Sequence, residues 1–163
     1  MRCFSLRRAA IGAAVLGPLA YSWALRRALE YNLARVRAGD PGPLLRFYAE
    51  DVRFRFPGDS SWAVELSSKR ELERWIARFI EVGLELYPEQ VVIAGPPWNT
   101  TFCIRCTDHA KSPVGEIVYE NRAVIWGRIS WGRVREYEVY EDTQKSAAFD
   151  EYLARHEKNA LGS

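Results

Sequence analysis

Apolar residues in the first half of the chain recur every three or four positions, the period of amphipathic helices. One run predicts a helix that ends at Gly39, and it consists of Leu25, Leu29, Leu33 and Val36. Asp40 and two nearby prolines predict a second, short helix, whose buried side consists of Leu44, Leu45, Phe47 and Tyr48. A capping box of Ser68 and Glu71 opens a third helix, which ends at Gly83. Its apolar side comprises Leu72, Trp75, Ile76, Phe79 and Ile80.

Alternation with a period of two, typical of strands, interrupts these helices once and then dominates the second half of the chain. Val52, Phe54 and Phe56 alternate with arginines and predict a strand that ends at Pro57. Four later segments predict further strands: residues 90–94, 100–107, 117–129 and 134–140. We expect Thr143 to cap a last helix.

This order of elements predicts an α+β fold, in which helices cover one side of an antiparallel sheet. If the sheet is curved into a cone and the N-terminal helices lie over its concave face, a pocket is enclosed between the two layers. Aromatic residues make up 13% of the chain, with 6 Trp, 8 Tyr and 7 Phe. We therefore expect aromatic rings to line that pocket.

The length of 163 residues fits one domain and short appendages, which excludes a second enzymatic domain. We assign residues 25–145 to the domain, 1–24 to an N-terminal segment and 146–163 to a C-terminal helix and tail. The net charge is only +2, and basic and acidic residues alternate without forming a basic stripe. Nucleic acid is therefore not an expected partner.

The N-terminal segment has the layout of a signal peptide or signal anchor. Three arginines precede residue 9, and residues 9–25 carry no formal charge. This pattern predicts a membrane-anchored or exported protein, associated with a membrane through residues 9–25. The alternative is a cytoplasmic protein whose N-terminal segment is a soluble helix packed on the domain, because the helical spacing continues beyond Leu25.

Several short motifs resemble the nuclear transport factor 2-like superfamily, which includes ketosteroid isomerases, limonene epoxide hydrolases and SnoaL-like polyketide cyclases. The motifs are residues 38–40, 48–51, 57–58, 132–134 and 140–142. The resemblance extends over about residues 25–145 and implies the cone-shaped fold and its pocket. It does not imply one activity, because this superfamily places many functions in the same pocket.

The resemblance also locates the positions that carry catalytic groups in these enzymes. The general base of ketosteroid isomerases falls on Phe56, and their hydroxyl donor falls on Asn32. The acid on the last strand of epoxide hydrolases and many cyclases falls on Val139. Because both usual carboxylates are replaced by apolar residues, the familiar mechanisms do not carry over.

Other acidic residues are weaker candidates for catalysis. Glu136 and Glu138 share one face of the last predicted strand, and burial there would raise a carboxyl pKa and create a general acid or base. Glu120 and Arg122 share a face of the preceding strand and could orient a polar group. The alternative for both pairs is a solvated face with ion pairs and no ligand.

Cysteine and histidine give no further site. Cys103 and Cys106 point to opposite faces of a strand, so we expect two core thiols. His109, in a predicted polar turn, and His156, in the last helix, have no nucleophile placed near them. Metal ligation has no support in the sequence, and we expect no cofactor.

Three hypotheses for function remain. The first is a pocket that binds a small apolar molecule, and its binding residues are Asn32, Phe56, Trp62, Arg122 and Tyr137. The second is an isomerase, cyclase or hydrolase that acts on a steroid- or polyketide-like substrate through the acidic residues above. The third is an interaction module with a vestigial pocket whose sheet forms a homodimer.

Overall fold

The computed structural model describes residues 3–112 and 114–161, and the side chains of residues 19–112 and 114–156. Its helices are α1 (Cys3–Arg37), α2 (Gly42–Leu45), α3 (Lys69–Glu81) and α4 (Thr143–Leu161). Its strands are β1 (Tyr48–Phe56), β2 (Val64–Leu66), β3 (Leu84–Ala94), β4 (Thr100–Lys111), β5 (Ile117–Ser130) and β6 (Arg133–Glu141).

The six strands form one sheet in the order β2-β1-β6-β5-β4-β3, which confirms the predicted α+β fold. All neighbouring strands are antiparallel except β1 and β6, which run parallel. The sequence predicts neither this parallel pair nor β2. It also places the start of β3 six residues too late, because Pro88 interrupts the alternation. Pro88 is tolerated since β3 is an edge strand with a register shift between Pro88 and Gln90.

One face of the sheet packs against the helices and carries the core. Phe54, Ile104 and Tyr137 alternate along their strands with exposed or half-buried residues. Gly127 occupies the same face on β5, where a Cβ atom would lie 2.4 Å from the Phe102 ring. A side chain at this position would displace the Phe102 ring, so glycine is needed for the packing of β4 on β5.

Helix α3 begins with the predicted capping box. The Ser68 hydroxyl accepts a 3.4 Å hydrogen bond from the Glu71 amide, and the Glu71 carboxylate accepts a 3.2 Å bond from the Ser67 amide. These bonds satisfy amides that have no partner within the helix. The amphipathic helix then buries Leu72 and Ile76 against the sheet.

The predicted N-terminal segment and first helix form one continuous helix, α1. Tyr21 joins this helix to β4 through a 2.9 Å hydrogen bond between its hydroxyl and that of Thr100. Within the described part of the chain, no helix is both long and apolar enough to span a bilayer. The predicted membrane anchor, residues 9–25, falls in part outside the described residues, which leave out the side chains of residues 1–16 and 18, and residues 1 and 2 entirely.

The start of α4 differs from the prediction by one residue. The Asp142 carboxylate, and not the Thr143 hydroxyl, accepts a 3.1 Å hydrogen bond from the Gln144 amide. Asp142 is thus the capping residue, and Thr143 is the first residue of the helix. The helix packs Phe149 (3% exposed) over the sheet, with its ring centroid 4.6 Å from that of Tyr119.

Candidate functional site

A cavity of about 190 Å³ lies between the concave face of the sheet and the helices. Its walls come from α1, α2, α3, α4, five strands and the loop that carries Trp62. Almost all of its lining is apolar. Among the described lining residues, three have side chains with an amide or a carboxyl group: Asn32, Asp108 and Glu141. An engineered cavity of about 150 Å³ binds benzene, so this one suits a molecule of about one ring.

Aromatic side chains form one wall of the cavity, as the composition predicts. Trp75 is the centre of this wall: its ring centroid lies 5.9 Å from those of Phe56 and Phe79. Trp75 and Phe79 are half-buried because they line the cavity, whereas helical periodicity alone predicts two core residues. Trp62 closes the wall from the loop, held by the Arg78 guanidinium 4.1 Å from its ring centroid.

Two acidic side chains meet at one end of the cavity. Asp108 lies on β4 and is 4% exposed, and Glu141 is the last residue of β6. The Tyr119 hydroxyl donates a 3.1 Å hydrogen bond to Glu141, and the Ser146 hydroxyl donates another. Tyr119 in turn accepts a 3.1 Å hydrogen bond from the Asn121 amide. The carboxyl pair is therefore embedded in a polar network that faces an apolar cavity.

Both carboxyl groups bind protons more tightly than free carboxyl groups do. Burial, followed by the charge of Glu141, raises the pKa of Asp108 from 3.8 to about 7. Burial also raises the pKa of Glu141, although hydrogen bonds from Ser146 and Tyr119 oppose that shift. Two carboxyl groups that interact in a largely desolvated site cannot both ionise at low cost. The pair accordingly holds a proton near neutral pH, which is the property required of a general acid or base.

Three polar atoms of the cavity lining are buried and have no hydrogen-bond partner among the described residues. They are Oδ1 of Asn32, Nε1 of Trp62 and Oδ1 of Asp108. A buried polar atom without a partner costs about 1–3 kcal/mol, and native proteins contain few of them. Two acceptor positions and one donor position thus face a cavity that is otherwise apolar.

Two tyrosines add hydroxyl groups to the lining. Tyr48 and Tyr137 are both buried, and their ring centroids lie 5.5 Å apart. Burial raises the pKa of Tyr48 to about 12 and raises the pKa of Tyr137 well above its usual value. Both phenols are therefore neutral at physiological pH.

The sequence-predicted binding residues divide into two groups. Asn32, Phe56, Trp62 and Tyr137 line the cavity. Arg122 is exposed on the outer face of the sheet, where Glu120 is exposed as well. A role for these residues in binding stays a prediction.

Glu136 and Glu138 lie on the outer face of β6, the face opposite the cavity. Glu136 forms a 3.2 Å ion pair with Arg53 of β1, and Glu138 accepts a hydrogen bond from Tyr140.

The homodimer that the sequence analysis places on this sheet stays a prediction. The outer face exposes Val92, Val124 and Tyr140.

The cysteines point to opposite faces of β4, as predicted. Cys106 is fully buried, and burial raises the pKa of its thiol to about 12; Cys103 is half-buried on the outer face. His109 belongs to β4 rather than to a turn, and its Nε2 lies 3.3 Å from a carboxylate oxygen of Glu85 on the outer face. Within residues 3–112 and 114–161, no cluster of His, Cys, Asp or Glu has the arrangement of a metal site.

Sequence reasoning missed the Asp108–Glu141 pair because it ended both strands too early. The apolar alternation of Phe102, Ile104 and Cys106 continues through Asp108 to Ala110, which is 1% exposed. The alternation of β6 likewise continues to Glu141. Extending each alternation by a few residues would have placed both carboxyl groups on the inner face.

The substitution Asn32→Leu tests whether the Asn32 side chain is available to bind a ligand or already has a structural partner. Leucine is similar in size and removes the unpaired Oδ1, so we expect Asn32→Leu to raise the free energy of unfolding by about 1–3 kcal/mol. Asn121→Leu is the matched control, since the Asn121 amide donates to Asp142 at 3.0 Å and accepts from the Arg122 amide at 2.9 Å. Urea unfolding should show the control destabilised; destabilisation of Asn32→Leu as well would mean that Asn32 has a structural partner.

No family model and no curated protein sequence matches the chain. Solved structures do match its fold. An NTF2-like protein of unknown function from Burkholderia pseudomallei has a TM-score of 0.61 and 17% identity, over 73% of this chain and 91% of that one. Bal32a, from a soil-derived mobile gene cassette, has a TM-score of 0.62 and 16% identity, over 77% and 95%. TerC, co-crystallised with polyporic acid, has a TM-score of 0.59 and 19% identity, over 80% and 94%. The chain therefore has the nuclear transport factor 2-like fold.

Proposed function

We propose that this protein binds a small, largely apolar molecule in the cavity and that Asp108 and Glu141 exchange a proton with it. The observation that carries the proposal is the buried Asp108 carboxyl group, which faces an apolar cavity with one oxygen unpaired among the described residues. Such a carboxyl group is costly for stability and suited to proton transfer near neutral pH. The structure of TerC with polyporic acid offers a precedent for small-molecule binding in this fold.

The reaction class follows from the arrangement of groups. The ionised member of the pair takes a proton from a carbon next to a carbonyl group of the ligand. The C–H electron pair forms the C=C bond of an enolate, and the π electrons of the carbonyl group move onto its oxygen. A hydrogen-bond donor such as the Trp62 indole or the protonated member of the pair stabilises that oxygen. Return of the proton to the same or another carbon completes an exchange or an isomerisation, without any redox partner.

Deuterium exchange into cyclohexanone tests this chemistry, because the molecule has one ring and one carbonyl group. We expect the wild-type protein in D₂O to speed incorporation of deuterium next to the carbonyl, measured by NMR, and the rate to rise as pH increases through about 7. Asp108→Asn should lower the rate by about 100-fold or more. Glu138→Gln, on the outer face, is the matched control and should leave it unchanged.

Binding is measured separately by isothermal titration calorimetry with phenol, which has one ring and one hydroxyl group. Binding of phenol without exchange into cyclohexanone would show a binding protein and refute the proton-transfer step. Absence of both would favour the interaction module over any function of the cavity. If Asn32 holds the ligand oxygen, Asn32→Leu weakens phenol binding even though the empty protein is more stable.

A further inference from the structure

Two exposed tryptophans lie together at one end of the sheet. Trp98, in the β3–β4 turn, is 57% exposed, and Trp131, in the β5–β6 turn, is 72% exposed. Their ring centroids are 5.8 Å apart, and the Trp131 amide donates a 2.8 Å hydrogen bond to the Pro97 carbonyl. We call Trp98 and Trp131 the tryptophan tip. Neither ring contributes to the core or lines the cavity.

Trp131 is held in a backbone conformation that suits other residues better. Trp131 and Gly132 form a two-residue hairpin turn with φ values of 50° and 75°. Such a turn favours asparagine followed by glycine, and a bulky side chain with positive φ is rare. A large apolar side chain is thus kept in an unfavourable conformation and in contact with water. Neither feature improves the fold, so a role outside the folded domain is indicated.

The surroundings of the tryptophan tip are basic. Residues 17–29 of α1, the turn at 94–101 and the turn at 127–133 together carry four arginines and no acidic residue. Arg27 pairs with Glu30, while Arg128 donates to the Asn99 side chain at 2.6 Å and Arg133 donates to a backbone carbonyl. The charge of Arg128 and Arg133 therefore has no acidic partner among the described residues.

Helix α1 reaches the same end of the domain. The Tyr21 hydroxyl bonds to Thr100, whose own hydroxyl donates a 2.8 Å hydrogen bond to the Pro96 carbonyl at the base of the Trp98 turn. Leu19 and Trp23 at this level of the helix are 63% and 65% exposed. Exposed indoles and leucine among unpaired arginines match the boundary between lipid headgroups and acyl chains.

We propose that the tryptophan tip docks on the surface of an anionic lipid bilayer. The two indoles enter the headgroup region, and Arg128 and Arg133 contact lipid phosphate and carboxylate groups. This contact is peripheral and requires no membrane-spanning helix. It is independent of the chemistry in the cavity, because none of its residues lines the cavity.

The test uses the full chain and vesicles of phosphatidylcholine, with or without phosphatidylserine. We expect the wild-type protein to sediment with the mixed vesicles, its tryptophan emission to shift to shorter wavelength, and high salt to weaken binding. Trp98→Ala combined with Trp131→Asn should lower the partition coefficient by about tenfold or more, which corresponds to about 1.4 kcal/mol. Val114→Asn, an 81% exposed residue in the β4–β5 connection at the other end of the sheet, is the control and should bind as wild type.

Melting temperature separates loss of binding from loss of fold. Asparagine suits the turn and Trp98 is exposed, so the double variant should melt at the same temperature as the wild type or higher. The proposal fails if the double variant partitions like the wild type, since another part of the chain would then bind the vesicles, or if the wild-type protein does not bind them. It also fails if light scattering shows a dimer that the double variant converts to a monomer, because the tryptophan tip would then join two copies of the chain.

Discussion

Asp108→Asn should make the protein more stable at pH 8 and flatten the dependence of its stability on pH. The pKa of Asp108 is about 7 in the folded protein and 3.8 when the carboxyl group is free. Between these values the folded state holds a proton that the unfolded state has lost, so the free energy of unfolding falls as pH rises. The contribution of this carboxyl group is fully present below about pH 4 and lost by about pH 7.

The size of the effect follows from the pKa shift. Each pH unit between the two pKa values changes the free energy of unfolding by about 1.36 kcal/mol, which gives up to about 4 kcal/mol for Asp108. Urea unfolding from pH 4 to pH 8 measures this slope. Glu141 shifts in the same direction, so a smaller slope should remain in Asp108→Asn. Glu138→Gln, the matched control, should keep the wild-type slope, and a wild-type slope in Asp108→Asn would contradict the placement of Asp108.

Phe54→Ala should destabilise the domain by about 3–5 kcal/mol. Phe54 lies on β1 and is 2% exposed, with its ring centroid 4.4 Å from that of Tyr137 and 4.7 Å from that of Trp75. Truncation removes contacts to the neighbouring strand and to α3 at once, and surrounding rings cannot collapse far enough to fill the space.

Phe79→Ala is the matched control for Phe54→Ala. Phe79 is half-buried on the cavity side of α3, so its truncation removes fewer contacts and enlarges a space that already exists. We expect a clearly smaller loss of unfolding free energy, measured in the same urea series. Equal losses for the two variants would mean that the cavity wall is packed as tightly as the core.

The parts of the fold that could be predicted are those whose pattern is complete within one segment. The capping box of Ser68 and Glu71 and the apolar side of α3 together define that helix. The alternation in β1 likewise predicts which side chains are buried, because Val52, Phe54 and Phe56 all lie on the inner face.

The parts that could not be predicted depend on contacts between distant segments. Strand β2 has only three residues and exists through its pairing with β1, so no local pattern indicates it. The candidate site could not be predicted for the same reason, because the pKa of Asp108 depends on Glu141, a residue from another strand. Composition predicts aromatic rings around a pocket, whereas register decides which acidic residues face it.

The parallel pairing of β1 with β6 affects the order in which the domain is synthesised and folded. Strands β3, β4 and β5 are joined by short connections and can pair soon after each is made. Phe54 pairs with Tyr137, a residue 83 positions later in the chain. During translation β1 can pair with β2 early, but its other edge has no partner until β6 has left the ribosome. A chain halted before β6 exposes that edge and the apolar inner face of β1, which makes the chain a target for chaperones and for aggregation.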